Sequence, residues 1–211
     1  MNRTGIIQTL IDDIGAESYL EIGISSGLNW EKIKCKQKTS VDPQPLEKPD
    51  YVLTSDEFFK QNSEKFDVIF VDGLHHADQV YVDITNAVEA LNENGYIVCH
   101  DINPLTEEAQ TVPYVKAFVK VRSTRTDLEM YTVDIDHGCG VIRKGKQETL
   151  NITAEEIQYE NFEKNKVKWL NLISPERFGK MFGLTSLKSM IKTYIMDPSH
   201  PENNWSLALY Y

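Results

Sequence analysis

The chain has 211 residues, of which 41% are hydrophobic and 26% charged. This composition excludes a wholly disordered or collagen-like protein and favours one domain with an elaboration. The 22 Lys and Arg residues against 32 Asp and Glu residues give a formal charge of -10, which repels phosphate backbones and anionic lipid head groups. We therefore expect no nucleic-acid and no membrane partner. The sequence also shows no signal-peptide or membrane-spanning pattern, which predicts a cytoplasmic location.

The first 145 or so residues alternate apolar runs with amphipathic stretches, the pattern of βαβ units and a parallel sheet. A short helix is predicted around residues 6–14. Strands are then predicted at 19–22, 39–41, 51–53, 66–71, 95–99, 128–134 and 139–143. The last two flank Asp136-His137-Gly138, and they are predicted to form an antiparallel pair that closes the sheet. The fold class is therefore α/β, with a doubly wound, Rossmann-like, seven-stranded and mostly parallel sheet whose last strand is antiparallel.

The segment between the fourth and fifth strands has one apolar helix face. Its members recur at spacings of three, four and seven, and they are Ala77, Val80, Ile84, Ala87, Val88 and Leu91. This spacing places them on one side of an α-helix, which Asn94-Gly95 is predicted to end. From Lys144 onward no strand-like run follows. Two helical patterns, over 159–173 and 184–195, predict a helical extension at residues 146–211 that packs on the core.

The segment from Glu21 to Gly27, EIGISSG, lies where the first strand meets the next helix. Glycines there allow a close backbone approach to a ligand. The spacing G-x-x-x-G differs from the dinucleotide fingerprint and argues against a nicotinamide or flavin enzyme. Asp42 ends the second strand, where a doubly wound fold presents a carboxylate to a ribose diol; the alternative is a solvated loop aspartate. Ser55 and Asp56 follow the third strand, where they either meet an adenine edge or cap a helix.

Two neighbouring strands each end in an acid and histidines. The fourth is followed by Asp72, His75 and His76, and the fifth by His100 and Asp101. Ligands of open α/β sheets bind at the carboxyl edge, so this set predicts a functional site. The alternatives are a histidine that caps the following helix, a core histidine, and an aspartate that only holds a turn. Because side chains alternate along a strand, we expect only one of His100 and Asp101 to reach the site.

These motifs together resemble the class I S-adenosylmethionine-dependent methyltransferases, and among them the small-molecule group known as methyltransferase domain family twenty-four. The resemblance rests on YLEIGISSG, VDP, FDVIFVDGLHH, GYIVCHDINP and VDIDHGCGVI. It spans roughly residues 15–145, so residues 1–145 are interpreted as the cofactor-binding methyltransferase domain. The sequence departs from the family after HDINP, where relatives often have a Trp-rich stretch but residues 110–121 contain no Trp.

The resemblance implies a role for each motif. The residues that border the methionine moiety of S-adenosylmethionine are Glu21, Gly23, Ser25 and Gly27. Asp42 is implied to face the ribose, and Ser55 and Asp56 the adenine. The residues implied to face the acceptor are Asp72, His75, His76 and Asp101. Independently of the resemblance, methyl transfer needs a sulfonium held near carboxylates, and Glu21, Asp42 and Asp72 are predicted to supply this negative field.

Methyl transfer to a hydroxyl requires that the acceptor lose a proton. Imidazole titrates near neutral pH, so His75 or His76 is predicted as the general base. Alternatively, Asp72 and Asp101, with a histidine or water, hold Mg²⁺, which lowers the pKa of a bound hydroxyl. We favour the metal-free base, with His75 ahead of His76 because His76 opens a helix. The amino-methylating N/D-P-P-Y signature is absent, which favours O-methylation.

The predicted acceptor is the hydroxyl of a small molecule, with a sugar as one candidate. The alternative function is a non-catalytic nucleoside-binding module with the same fold. A nucleic-acid-modifying enzyme is disfavoured because the sequence has no basic stripe. The aromatic residues of the extension predict that it covers the acceptor side or forms a homodimer contact; they are Trp169, Phe178, Phe182 and Trp205.

Overall fold

The structure is a computed structural model that describes residues 1–104 and 113–184. The α-helices of these residues are α1 (Arg3–Ile14), α2 (Leu28–Lys32), α3 (Ser55–Gln61), α4 (Ala77–Glu89), α5 (Pro113–Thr124), α6 (Tyr159–Trp169) and α7 (Pro175–Met181). The strands are β1 (Ser18–Ile22), β2 (Gln37–Val41), β3 (Phe66–Val71), β4 (Leu91–Cys99), β5 (Leu128–Val133), β6 (Cys139–Lys144) and β7 (Leu172–Ile173). A 3₁₀ turn, Ala154–Glu156, precedes α6.

The strands form one seven-stranded sheet in the order β2-β1-β3-β4-β6-β5-β7. Strand β6 runs antiparallel to its neighbours β4 and β5, and the other strand pairs are parallel. The predicted fold class, a mostly parallel seven-stranded α/β sheet, is confirmed. The antiparallel strand is the last one predicted from the sequence, and the two-residue β7 follows it.

Two predicted elements, the strand at 51–53 and the helical pattern at 159–173, differ in the structure. Residues 51–53 are not a strand, and only Tyr51 forms a single parallel bridge, with Val41. Only three residues separate Asp50 from Thr54, the N-cap of α3, which leaves no room for a longer strand. Strand β7 was not predicted, because two residues show no alternation. Strand β7 is formed by Leu172 and Ile173, the last two residues of the predicted 159–173 helix. Helix α7 then starts at Pro175, and Ser174 is its N-cap.

Helix α4 ends earlier than Asn94-Gly95, because β4 starts at Leu91. Phe66 pairs with Leu91 and Val68 with Tyr96, so β4 contains an irregularity between these pairs. The side chain of Leu91 packs against Gly95, where a Cβ would lie 2.8 Å from a methyl group of Leu91. Leu91 is therefore the first residue of strand β4 and not, as its spacing suggested, the last residue of the apolar face of helix α4.

The sheet has a hydrophobic core on each face. One face packs against α3, α4, α5 and α6, with members such as Ile69, Ile84 and Phe118. The other packs against α1 and α7, with members such as Phe70 and Ile7. The described part of the extension contributes to both cores and adds β7 to the sheet edge. The predicted boundary at residue 145 stays a prediction, and most of the 184–195 pattern and Trp205 lie outside the described residues.

The glycine at position 23 is required by a contact inside the protein. Its φ is +85°, and a Cβ there would overlap the carbonyl group of Asp72. The β1 loop and the β3 loop thus touch through their backbones. The sequence suggested a close approach to a ligand at this glycine, whereas the nearest group is the backbone of the neighbouring strand.

Gly23→Ala should lower the free energy of unfolding by about 2–4 kcal/mol, which combines roughly 1–2 kcal/mol for a side chain in the left-handed region with overpacking against Asp72. Gly15→Ala is the matched control, because Gly15 has φ +59° but a Cβ added there would have no atom within 4 Å. It should cost only about 1–2 kcal/mol. Urea denaturation of both variants measures the difference. Equal decreases in the free energy of unfolding would show that the close contact between position 23 and Asp72 adds no further destabilisation.

Candidate functional site

Four parallel strands end on the same level at the carboxyl edge of the sheet. Ile22 pairs with both Val41 and Val71, and Val71 pairs with Cys99. The next residues along the four strands are Gly23, Asp42, Asp72 and His100. The register therefore gathers the loop Gly23–Gly27, called the glycine loop below, two predicted acids and a histidine on one edge of the sheet. Ligands of open α/β sheets bind at this edge.

Asp42 organises the glycine loop. Its Oδ2 accepts a hydrogen bond of 2.9 Å from the backbone N–H of Ser25, and its Oδ1 accepts one of 2.8 Å from that of Gln44. Ser25 has a left-handed φ of 46°, which turns its N–H towards the carboxylate. Gly27, with φ 74°, then starts α2. Asp42 is therefore not a solvated loop aspartate: it is 8% exposed, and each oxygen keeps a second lone pair for a ligand.

Glu21 lies behind the loop and is only 1% exposed. Its Oε2 accepts hydrogen bonds from the Tyr19 hydroxyl, at 2.6 Å, and from Asn29 Nδ2, at 3.1 Å. The Thr4 hydroxyl donates to the Asn29 side-chain oxygen at 2.8 Å, so α1 joins this network. Burial raises the pKa of Glu21 to about 7, although the two hydrogen bonds oppose the rise. Glu21 thus supports the loop from the interior.

Ser55 and Asp56 lie in the first turn of α3, but neither caps it. Thr54 does so, in a capping box with Glu57. The side-chain nitrogen of Gln79 lies 3.3 Å from Ser55 Oγ and 3.0 Å from Asp56 Oδ1. These contacts connect α3 to α4 at the same edge of the sheet. The role of Ser55 and Asp56 beside an adenine stays a prediction.

The second group of predicted residues forms one charged cluster. Nδ1 of His100 lies 3.2 Å from Asp101 Oδ1 and 3.5 Å from Asp72 Oδ1. Nδ1 of His75 lies 3.8 Å from Asp101 Oδ2. The His75 side chain is 49% exposed, and its ring meets Tyr114 edge-on at a centroid distance of 4.9 Å. His76 is the N-cap residue of α4 but makes no capping hydrogen bond through its side chain.

The expectation that only one of His100 and Asp101 reaches the site is wrong. Strand alternation ends at Cys99, and Asp101 adopts a left-handed φ of 57°. This turn brings its carboxylate back beside the His100 ring. His100 is also not an ordinary core histidine. Burial would lower its pKa, but the carboxylates of Asp101, Asp136 and Asp72 raise it well above the usual value.

Sequence reasoning missed two members of the cluster, Arg3 and Asp136. Arg3 Nη1 lies 3.3 Å from Asp72 Oδ2, and Arg3 Nε lies 2.9 Å from Asp136 Oδ2. His100 Nε2 lies 3.6 Å from Asp136 Oδ1. The DHG turn between the last two predicted strands was a signal for Asp136, since such a turn lies near the end of a strand. Nothing in the local sequence marks Arg3.

Three residues of the cluster have donor atoms suited to a metal ion. One atom each of Asp72, His75 and Asp101 lie within 4.8 Å of one another. This is the set that the sequence offered as the alternative to a metal-free base. A separate open groove of about 650 Å³ lies at the opposite, amino edge of the sheet, where Ser18, Gln37 and Phe66 begin their strands, so it is not part of this site.

Comparisons with known proteins bear on part of the sequence and on the fold. Residues 37–102 match a family model described as a methyltransferase domain. The predicted family resemblance is confirmed. No curated protein matches the sequence. In the described residues no helix is long and apolar enough to cross a membrane.

Solved structures of methyltransferases share the fold. A Staphylococcus aureus protein assigned as a caffeoyl-CoA O-methyltransferase is 17% identical, with a TM-score of 0.54 over 67% of this chain and 82% of that chain. A Bacillus cereus O-methyltransferase in complex with S-adenosylhomocysteine is 14% identical, with a TM-score of 0.50 over 68% and 82%. A Podospora anserina methyltransferase with the same ligand is 15% identical, with a TM-score of 0.50 over 67% and 76%.

Glu21 should make stability depend on pH. Its carboxyl has a pKa of about 7 in the folded chain against an ordinary value of 4.5, so the folded state keeps the proton to higher pH. Stability should therefore fall by about 3 kcal/mol as the pH rises from about 4.5 to 7, because each pKa unit corresponds to about 1.4 kcal/mol.

Glu21→Gln removes this titration while retaining a side-chain oxygen for Tyr19 and Asn29. The variant should gain stability relative to the wild type between pH 4.5 and pH 8. Glu64→Gln, which removes an exposed carboxylate, controls for the change in net charge. Thermal melts over this pH range measure the gain, and parallel curves for Glu21→Gln and the wild type would contradict a buried, titrating Glu21.

Proposed function

We propose that this methyltransferase transfers the methyl group of S-adenosylmethionine to a hydroxyl of a small molecule. The observation that carries the proposal is the common level at which β1 to β4 end. It places the Gly23–Gly27 loop and Asp42 beside Asp72, His75 and Asp101 on a single edge. A carboxylate for ribose hydroxyls, acids for a sulfonium and a base for a hydroxyl are the groups that this reaction requires.

The residues present fit the cofactor by the chemistry of their donors. Asp42 has free lone pairs for a ribose diol, the loop from Gly23 to Gly27 borders the methionine moiety, and Ser55 and Asp56 lie where the adenine is expected. Glu21 shapes the loop from behind. When bound, S-adenosylmethionine supplies an electrophilic methyl group on a positively charged sulfur. Asp72 contributes a negative charge that favours this positive centre.

His75 is the proposed general base. Its half-exposed ring is held by Tyr114, and its Nδ1 faces Asp101 at 3.8 Å, which leaves Nε2 free to take the proton of the acceptor hydroxyl. A carboxylate on one imidazole nitrogen stabilises the cation that forms when the other nitrogen is protonated. His76 is the second candidate, but its side chain is not part of the cluster of three donor atoms.

A magnesium-dependent route is the second mechanism, supported by the closeness of the donor atoms of Asp72, His75 and Asp101. In that route His75 is a ligand and not a base. One observation and one general chemical preference favour the metal-free route. Arg3 lies 3.3 Å from Asp72 and His100 lies 3.2 Å from Asp101, so both carboxylates already have a protein cation beside them that competes with Mg²⁺. Mg²⁺ also prefers oxygen ligands to an imidazole.

The finer parts of the function remain proposals. A sugar is one candidate acceptor, and a homodimer contact through the extension is a candidate interface. The rival function is a nucleoside-binding module without turnover. Release of S-adenosylhomocysteine from S-adenosylmethionine, measured with catechol, a simple alkyl alcohol and a free hexose as acceptors, distinguishes the two. Cofactor binding with no turnover on any hydroxyl would favour the module.

Asp42→Ala should weaken the binding of S-adenosylhomocysteine by about 1–3 kcal/mol, the cost of losing hydrogen bonds to a charged group. Asp50→Ala is the matched control. Asp50 also binds β2, through the backbone N–H and the hydroxyl of Ser40, but it lies outside the proposed site. Isothermal titration of both variants measures the effect. Equal affinities for the wild type and Asp42→Ala would remove Asp42 from the cofactor site.

His75→Ala should lower kcat roughly 10²–10⁴-fold, the usual contribution of a general base, and EDTA should leave the wild-type rate unchanged. His76→Ala should have a smaller effect, since the three close donor atoms belong to Asp72, His75 and Asp101 and not to His76. Rates are measured on the best acceptor of the panel. Inactivation of the wild type by EDTA, reversed by Mg²⁺, would overturn the metal-free base.

A further inference from the structure

The first turn of α1 reaches into the site through Arg3. The guanidinium forms a fork on Asp136, with Nε 2.9 Å from Oδ2 and Nη2 3.1 Å from Oδ1. Its third nitrogen, Nη1, donates to Asp72 Oδ2 at 3.3 Å. The backbone N–H of Arg3 also donates to Asp136 Oδ2, at 2.9 Å. Arg3 thus joins Asp72, at the end of β3, to Asp136, in the turn between β5 and β6. Asp72 lies 69 residues from Arg3 along the chain, and Asp136 lies 133 residues from it.

The partner Asp136 is itself firmly held. Burial would raise the pKa of its carboxyl, but the cations of His100 and Arg3 bring it well below the usual value. Its turn is fixed to the segment after β4 by the backbone: Ile102 N–H donates to Gly138 O at 3.0 Å, and Asn103 N–H to His137 O at 2.8 Å. Asp136 therefore provides a rigid anchor for the Arg3 side chain.

Without Arg3, the nearest cation to Asp72 is His100, at 3.5 Å from Oδ1. The Asp72 carboxylate would then turn towards His100 and away from the direction that Nη1 of Arg3 now sets. Asp72 and Asp136 would also repel each other across the gap. Arg3 is thus placed to fix both the direction and the charge of Asp72, and only a planar guanidinium can bind two carboxylates in this way.

We propose that Arg3 is a positioning residue for the methyl-transfer reaction. It acts through Asp72, which it holds towards the cofactor and acceptor, and it uses Asp136 as its anchor. The inference rests on the proposed function, because the role of Asp72 does so. It adds helix α1, which precedes all the motifs of the methyltransferase resemblance, to the catalytic machinery.

The test compares Arg3→Met, Arg3→Lys and Arg125→Met. Arg125 is the matched control because it forms a similar fork, with Nε and Nη2 each 2.7 Å from Asp127, just before β5 at the opposite edge of the sheet. The measurements are the Kd of S-adenosylhomocysteine by isothermal titration, the melting temperature, and kcat and KM on the best acceptor of the panel.

Arg3→Met should lower kcat about 10–100-fold, the usual effect of removing a residue that orients a site group. The Kd of S-adenosylhomocysteine and the KM of the acceptor should change much less. Arg3→Lys keeps the charge but not the fork, so its kcat should fall between those of Arg3→Met and the wild type. Arg125→Met should match the wild type. If Arg3→Met does not fold, the same measurements on Arg3→Lys are compared with those on the wild type and on Arg125→Met.

The outcomes separate the two claims. A wild-type protein that binds no S-adenosylhomocysteine and turns over no acceptor overturns the proposed function, and this inference with it. An active wild type whose Arg3 variants keep the full kcat overturns the inference alone. A fall in kcat that is matched by equal losses of cofactor affinity and melting temperature in both Arg3 variants makes Arg3 a structural residue and also overturns it.

Discussion

Charge compensation in one buried corner is the constraint on which the site depends. Asp72, Asp101 and Asp136 surround His100, whose nitrogens lie 3.2, 3.5 and 3.6 Å from the three carboxylates. Carboxylates removed from water are destabilising unless cations are close. His100 supplies one cation and Arg3 the other, so the strand ends, α1 and the turn between β5 and β6 each contribute charges that compensate one another.

The parts that the sequence predicted are those with a local signal. Alternating and continuous apolar runs indicated β1, β3 and β4, and a glycine, an acid or a histidine directly after each run indicated the edge at which it would lie. Because parallel strands share this edge, Asp42, Asp72 and Asp101 could be grouped without knowledge of the register. The apolar face of α4 was predicted for the same reason, since a helix repeats every 3.6 residues.

The parts that were missed depend on contacts between distant residues. Arg3 lies 133 residues from Asp136, and no spacing rule connects them. The side on which Asp101 lies depends on its left-handed backbone, which breaks the alternation of side chains just after the strand ends at Cys99. Strand β7 exists because β5 offers it a free edge at Thr132 and Val133. In each case tertiary structure decides between local alternatives that the sequence leaves equal.

The common level of the strand ends also limits how the length of the chain can change. One extra residue in β1, β3 or β4 would move a site group by about 3.3 Å and turn every following side chain to the opposite face of the sheet. The segment at residues 62–65 leads into β3 from the amino edge and carries none of the site residues, so its length does not set their positions. Insertions and deletions between relatives are therefore expected to concentrate at the amino edge, while the carboxyl edge keeps its spacing.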